Sequence, residues 1–150
     1  MTSITSMPGM FKILPNLYLS TYNQVRLSTD EFFQINCTKD LPMVRTHGMR
    51  IAVHDDPYEA YTMLTKLTET MQTIDAELAK PDRKVVVHCL AAVSRSPTVI
   101  CAYLMWSRGM TLEDAIKYVR EIRSEVFMFS NNFLEALETF ESQLKKQKAK

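Results

Sequence analysis

The chain has 150 residues, 46% hydrophobic and 23% charged, a length and composition for one globular domain with a single core. Disorder, collagen-like repeats and a disulfide scaffold are excluded, and no apolar run approaches the roughly 20 residues of a membrane span. Lys and Arg total 18 against 17 for Asp and Glu, a net charge of +1 that gives no support to bulk binding of nucleic acid or anionic lipid. The expected organisation is one domain over 1–150. Its core covers about 10–144, between a short N-terminal extension and a Lys-rich C-terminal tail.

The N-terminal MTSITSMPGMF lacks the basic and apolar regions of a secretory signal, and Thr2 stands where myristoylation needs glycine. Three cysteines without metal-ligand spacing point to a reducing compartment, the cytoplasm, with the nucleus as the alternative.

In chain order, Met10–Ile13 and Leu17–Leu19 predict two short strands turning at Pro15-Asn16. A short helix is expected over Asn23–Ser28, and strands over Phe33–Cys37 and Met49–His54. Leu64, Leu67, Met71, Ile74 and Leu78 recur at steps of three and four, the buried face of a long helix ending at Pro81-Asp82. The β-branched run Val85-Val86-Val87 suits a central strand covered on both faces. Ser96 is a candidate N-cap with Pro97 at the first helical position, and this helix runs to Gly109. Thr111 opens another, with Leu112, Ala115, Ile116, Val119 and Ile122 buried. The last helix begins near Asn131-Asn132 and buries Phe133, Leu134, Leu137, Phe140 and Leu144. Lys145, Lys146, Lys148 and Lys150 form the solvated tail. Strands alternating with helices, then a run of helices, predict an α/β fold with one sheet.

The chemistry concentrates in Val85 to Arg95, VVVHCLAAVSR. A buried strand delivers Cys89 into a loop, Leu90, Ala91, Ala92, Val93, Ser94 and Arg95, that runs into a helix N-terminus. Backbone N–H groups of such a loop form an anion cradle, to which the helix dipole adds positive potential. Arg95 adds a planar fork of donors matched to two oxygens of a phosphate. The same field favours the thiolate of Cys89, a nucleophile aimed at bound phosphorus. The leaving oxygen needs an acid, and Asp55 or Asp56, at the end of a neighbouring strand, reaches the same crevice. The scheme needs no metal and no cofactor.

Cys37 and Cys101 read as small buried hydrophobes. His88 is either a core residue or one that orients the loop and helps hold the thiolate. Ser96 is either a cap alone or a hydroxyl that eases departure of the thiolate. His47 and His54 form no metal pattern.

His88-Cys89-x5-Arg95-Ser96 resembles HCxxGxxRS, the signature of the small, atypical dual-specificity protein phosphatases of the cysteine-based tyrosine phosphatase superfamily. Ile13-Leu14-Pro15-Asn16-Leu17-Tyr18-Leu19 is similar to that family's opening strands and Ile35-Asn36-Cys37-Thr38 to its "LNVT" strand. Ile51-Ala52-Val53-His54-Asp55 resembles "IPVED", whose aspartate is the family's general acid, so the resemblance selects Asp55 over Asp56. Met110-Thr111-Leu112-Glu113-Asp114-Ala115 resembles a following helix.

The resemblance implies one mixed, mostly parallel sheet of about five strands flanked by helices. It implies phosphorylated protein substrates, on tyrosine and on serine or threonine, and a catalytic set of Cys89, Arg95, Asp55, Ser96 and His88. A monomer is expected. Three departures stand out: Ala92 replaces the loop glycine, Ser20 stands where glycine is common, and Phe129-Ser130 replaces Pro-Asn. If position 92 needs positive φ, alanine costs about 1–2 kcal/mol there. Two other readings compete: a phosphoprotein-binding pseudophosphatase, suggested by Ala92, and an RNA 5′-triphosphatase, which Ser96-Pro97 and the near-neutral charge disfavour.

Overall fold

The structure, a computed structural model, describes residues 8–129 and 131–148. Most of the N-terminal extension, Ser130 of the Phe129-Ser130 pair and Lys150 of the tail lie outside the described residues.

The strands are β1 (Met10–Leu14), β2 (Leu17–Ser20), β3 (Phe33–Asn36), β4 (Gly48–Arg50) and β5 (Val85–His88). The helices are α1 (Tyr22–Leu27), α2 (Ala60–Leu78), α3 (Arg95–Arg108), α4 (Leu112–Ile122) and α5 (Leu134–Lys148). The sheet runs β1-β2-β5-β3-β4; the β1–β2 hairpin is antiparallel and the other three pairings are parallel. This is the mixed, mostly parallel five-stranded sheet flanked by helices that the family resemblance implies.

β5 is central and buried along its whole length, as its β-branched run requires. Alternation along it divides the core. Val85 and Val87 face the main cluster under α2 to α5, whereas Val86 joins Tyr18, Val25 and Phe32 in a smaller cluster under α1.

Several boundaries differ from expectation. The strand predicted over Met49–His54 ends at Arg50, because its only partner, β3, ends at Asn36. After the last ladder bond, Ile51 N–H to Asn36 C=O at 2.9 Å, the Val53 N–H turns back onto Ile51 C=O, and the chain swings toward the end of β5. Ser96 is not the N-cap of α3. Ser94 holds that place, since Thr98 N–H bonds its carbonyl at 3.1 Å. Pro97 is therefore the third residue of the helix, still within the first turn, where no N–H has an intrahelical partner. α1 starts one residue earlier than expected because Thr21 caps it through Gln24 N–H.

α5 begins at Leu134, and Leu134 is 40% exposed rather than buried; Phe133, just ahead of the helix, is fully buried and anchors the entry. On α2 the fully buried face is Met63, Leu67, Thr70, Met71 and Ile74, with Leu64 and Leu78 at its edges. Ile116, Ile122 and Leu144 are likewise half-buried. Gly109 ends α3 in the left-handed conformation and Thr111 caps α4 through Asp114 N–H, both as predicted. No helix among the described residues is long and apolar enough to cross a membrane.

Candidate active site

The loop leaving β5 is organised by where its carbonyls go. Cys89 C=O lies 3.1 Å from His88 Nδ1, and Leu90 C=O accepts from Tyr22 N–H at 3.1 Å. Ala91 and Ala92 C=O accept from Nη2 and Nε of Arg123, each at 3.0 Å. Val93 C=O accepts from Phe127 N–H at 2.7 Å, and Ser94 C=O from the N–H and hydroxyl of Thr98. All six carbonyls are thus held by groups outside the loop. Among the described residues, the N–H groups of Leu90 to Arg95 donate to no protein atom. A loop whose carbonyls are tied outward and whose N–H groups are left free is a concave anion receptor, completed by the N-terminus of α3.

Cys89, 3% exposed, stands at the foot of this loop, with Sγ 3.1 Å from Ser96 Oγ. Ser96 is therefore placed to donate to a thiolate. Arg95 donates from Nη1 to Val53 C=O at 3.1 Å, and its buried Nε has no protein partner, a donor left over for an anion. Asp55 Oδ1 accepts from Ser94 Oγ at 2.8 Å and from Asn132 Nδ2 at 2.9 Å. Asp56 turns elsewhere: its carboxylate caps the short 3-10 turn Pro57–Glu59 through Tyr58 N–H at 2.8 Å. Asp55 and Arg95 line a cavity of about 190 Å³ with Asp40, Leu41, His54 and Leu90. Beyond Pro57, a groove of about 350 Å³ lies between α2 and α5, walled by Tyr58, Tyr61 and Glu135.

His88 is fully buried, and burial pushes its pKa down to about 4, so the ring is neutral at pH 7. Its tautomer follows from Gln34. Gln34 Oε1 accepts the N–H groups of Val44 and Arg45, so Nε2 faces the ring and donates to His88 Nε2 at 2.9 Å. The ring proton then sits on Nδ1 and bonds the Cys89 carbonyl. His88 is both a core residue and the group that orients the start of the loop.

Burial holds the Cys37 thiol well above its ordinary range and pushes Cys101 up to about 12, so both are protonated and inert at neutral pH. His47 and His54 are exposed, and among the described residues no three His, Cys, Asp or Glu side chains converge as a metal site.

The predicted set of Cys89, Arg95, Asp55, Ser96 and His88 thus gathers around one loop. Sequence reading missed Gln34, Tyr22, Arg123 and Asn132. Their partners lie far along the chain, 31 and 32 residues for Arg123, 54 for Gln34 and 77 for Asn132, and no local motif signals such contacts.

Residues 17–143 match the dual specificity phosphatase catalytic domain. The chain is 34% identical over 148 residues to dual specificity protein phosphatase 8 of Mus musculus, covering 91% of this chain and 21% of that protein. It thus spans about a fifth of that relative's length. Among solved structures, a variant of human DUSP28 superposes with a TM-score of 0.81 at 26% identity, covering 94% of this chain and 99% of that one. The human tyrosine phosphatase-like serine/threonine/tyrosine-interacting protein superposes with a TM-score of 0.74 at 27% identity, covering 89% and 96%. The chain belongs to the dual specificity phosphatase family, within the cysteine-based tyrosine phosphatase superfamily.

Proposed function

We propose that the protein is an active protein phosphatase that hydrolyses phosphotyrosine and phosphoserine or phosphothreonine through a cysteinyl-phosphate. The observation that carries this reading is the outward-tied loop over the Cys89–Ser96 pair, with the buried Nε of Arg95 left unpaired above it.

In the first step the phosphoryl oxygens take the free N–H groups of the loop and the fork of Arg95. The Cys89 thiolate attacks phosphorus; the S–P bond forms as the bond to the leaving oxygen breaks. Asp55 gives that oxygen a proton. In the second step water attacks phosphorus and gives a proton to the Asp55 carboxylate. The S–P bond breaks, inorganic phosphate leaves, and Ser96 donates to the departing thiolate. His88 fixes the loop and transfers no proton. Phosphorylated proteins are the substrates, and the enzyme works as a monomer in a reducing compartment, consistent with three free cysteines.

Phosphate release from a phosphotyrosine peptide by wild type, and none above background by Cys89→Ser, is the expected result. Equal release from the two proteins would refute the reading. One observation favours a second reading, phosphoprotein binding without turnover: Ala92, in place of the family glycine, sits at φ 58°. Tight phosphopeptide binding by a wild type that releases no phosphate would select it.

A further inference from the structure

Asp55 Oδ1 is held twice, by Ser94 Oγ from the loop and by Asn132 Nδ2 from the segment ahead of α5. No polar contact of Asp55 Oδ2 with the protein is seen among the described residues. The two oxygens of the carboxyl are therefore not equivalent.

The Asn132 contact is built on a fixed element. Phe133, the next residue, is fully buried, and its carbonyl receives the first helical bond of α5 from Leu137 N–H at 3.0 Å. That anchor fixes where the neighbouring amide can reach. A carboxylate only accepts, so it is the amide nitrogen of Asn132 that faces it. Asp55 itself sits on a stretch with no ladder bonds after β4 and is exposed to solvent. Without a tether, such a side chain samples several rotamers, and a misplacement of about 1 Å costs rate steeply.

We propose that Asn132 is a positioning residue for the general acid: with Ser94 it pins Oδ1 of Asp55, leaving Oδ2 as the oxygen that delivers the proton to the leaving group. This rests on the phosphatase reading above. It predicts that Asn132 contributes wherever Asp55 moves a proton, and that in formation of the cysteinyl-phosphate its effect grows with the basicity of the leaving group.

The test is a leaving-group series in Asn132→Ala and in the near-isosteric Asn132→Leu, which keeps the volume, adds no charge and loses the donor. Asn132 is half-buried ahead of a helix, so folding is checked by circular dichroism. With phenyl phosphate, whose leaving group has a pKa near 10, kcat/KM, which reads only the steps up to cysteinyl-phosphate formation, should fall roughly tenfold in both variants, part of the 10²–10⁴ a positioned acid supplies. With nitrophenyl phosphate, which departs with little help, kcat/KM should change less than about threefold in both. An equal loss across the series, or no loss, overturns the proposal while Cys89-dependent turnover by wild type keeps the phosphatase reading. If wild type and Cys89→Ser release phosphate equally, that reading fails and the proposal with it.

Discussion

Four non-glycine residues among those described adopt positive φ, and they fall into two pairs. Asn16 (φ 66°) lies in the β1–β2 turn and Asp82 (φ 57°) in the turn after α2; both are exposed, and both belong to the residue types that tolerate this conformation locally. Ala92 (φ 58°) and Phe127 (φ 59°) do not, yet Ala92 is fully buried in the loop that leaves β5 and Phe127 bonds that loop at Val93. Strain in unsuited residues persists only where the surroundings over-determine it. Here the surroundings are the Arg123 bonds to Ala91 and Ala92, with the guanidinium stacked 4.8 Å over the Phe11 ring. The turns shape the fold; the strained pair shapes a receptor.

That contrast breaks if substitutions around the loop cost only stability, or if those in the turns cost activity. Asp55→Ala should lower kcat by about 10²–10⁴ while KM holds, and Asp56→Ala should cost about 1 kcal/mol of local stability and leave kcat in place. Steady-state kinetics decide; the reverse pattern would move the acid to Asp56.

His88 gives the next effect. Its folded pKa, about 4, is below the ordinary 6.5, so below pH 6.5 the unfolded chain binds a proton the folded one refuses. Its contribution is whole above pH 6.5, falls as pH drops toward 4, and amounts to about 3 kcal/mol across that window. Urea unfolding at stepped pH should show this slope in wild type and a flatter one in His88→Asn.

Arg123→Met should reduce kcat/KM by about tenfold, since two charge-assisted bonds hold the loop carbonyls outward. Adding Ala92→Gly should recover part of that loss by relieving the left-handed strain. Asn16→Ala should cost about 1 kcal/mol in chemical denaturation and leave kcat/KM unchanged.

Much of this was legible in the chain. The β-branched run at Val85, the helix stripes and the glycine at 109 report directly on burial and backbone conformation, so the sheet, its central strand and the helices follow. The Cys89 to Arg95 spacing lies within a single segment, so it was readable directly; the residues alone left Asp55 and Asp56 open, and the resemblance to the family's acid segment selected Asp55, which lies five residues past the end of β4. What failed depends on partners in space. Ser96 looks like a cap until Cys89 takes its hydroxyl. The strand at Met49 looks longer than its neighbour β3 allows. Arg123 and Asn132 look like ordinary surface residues until the fold carries them to Ala92 and Asp55.

The proposed phosphatase chemistry turns on a covalent bond between Cys89 Sγ and phosphorus. Asp55→Ala treated with radiolabelled nitrophenyl phosphate, quenched and mapped by proteolysis, tests it most directly, because the intermediate still forms with that leaving group but is hydrolysed slowly. Label is expected on the peptide carrying Cys89 and should be lost when Cys89→Ser is added. Label on another residue, or turnover by wild type with no labelled enzyme on any timescale, would contradict it.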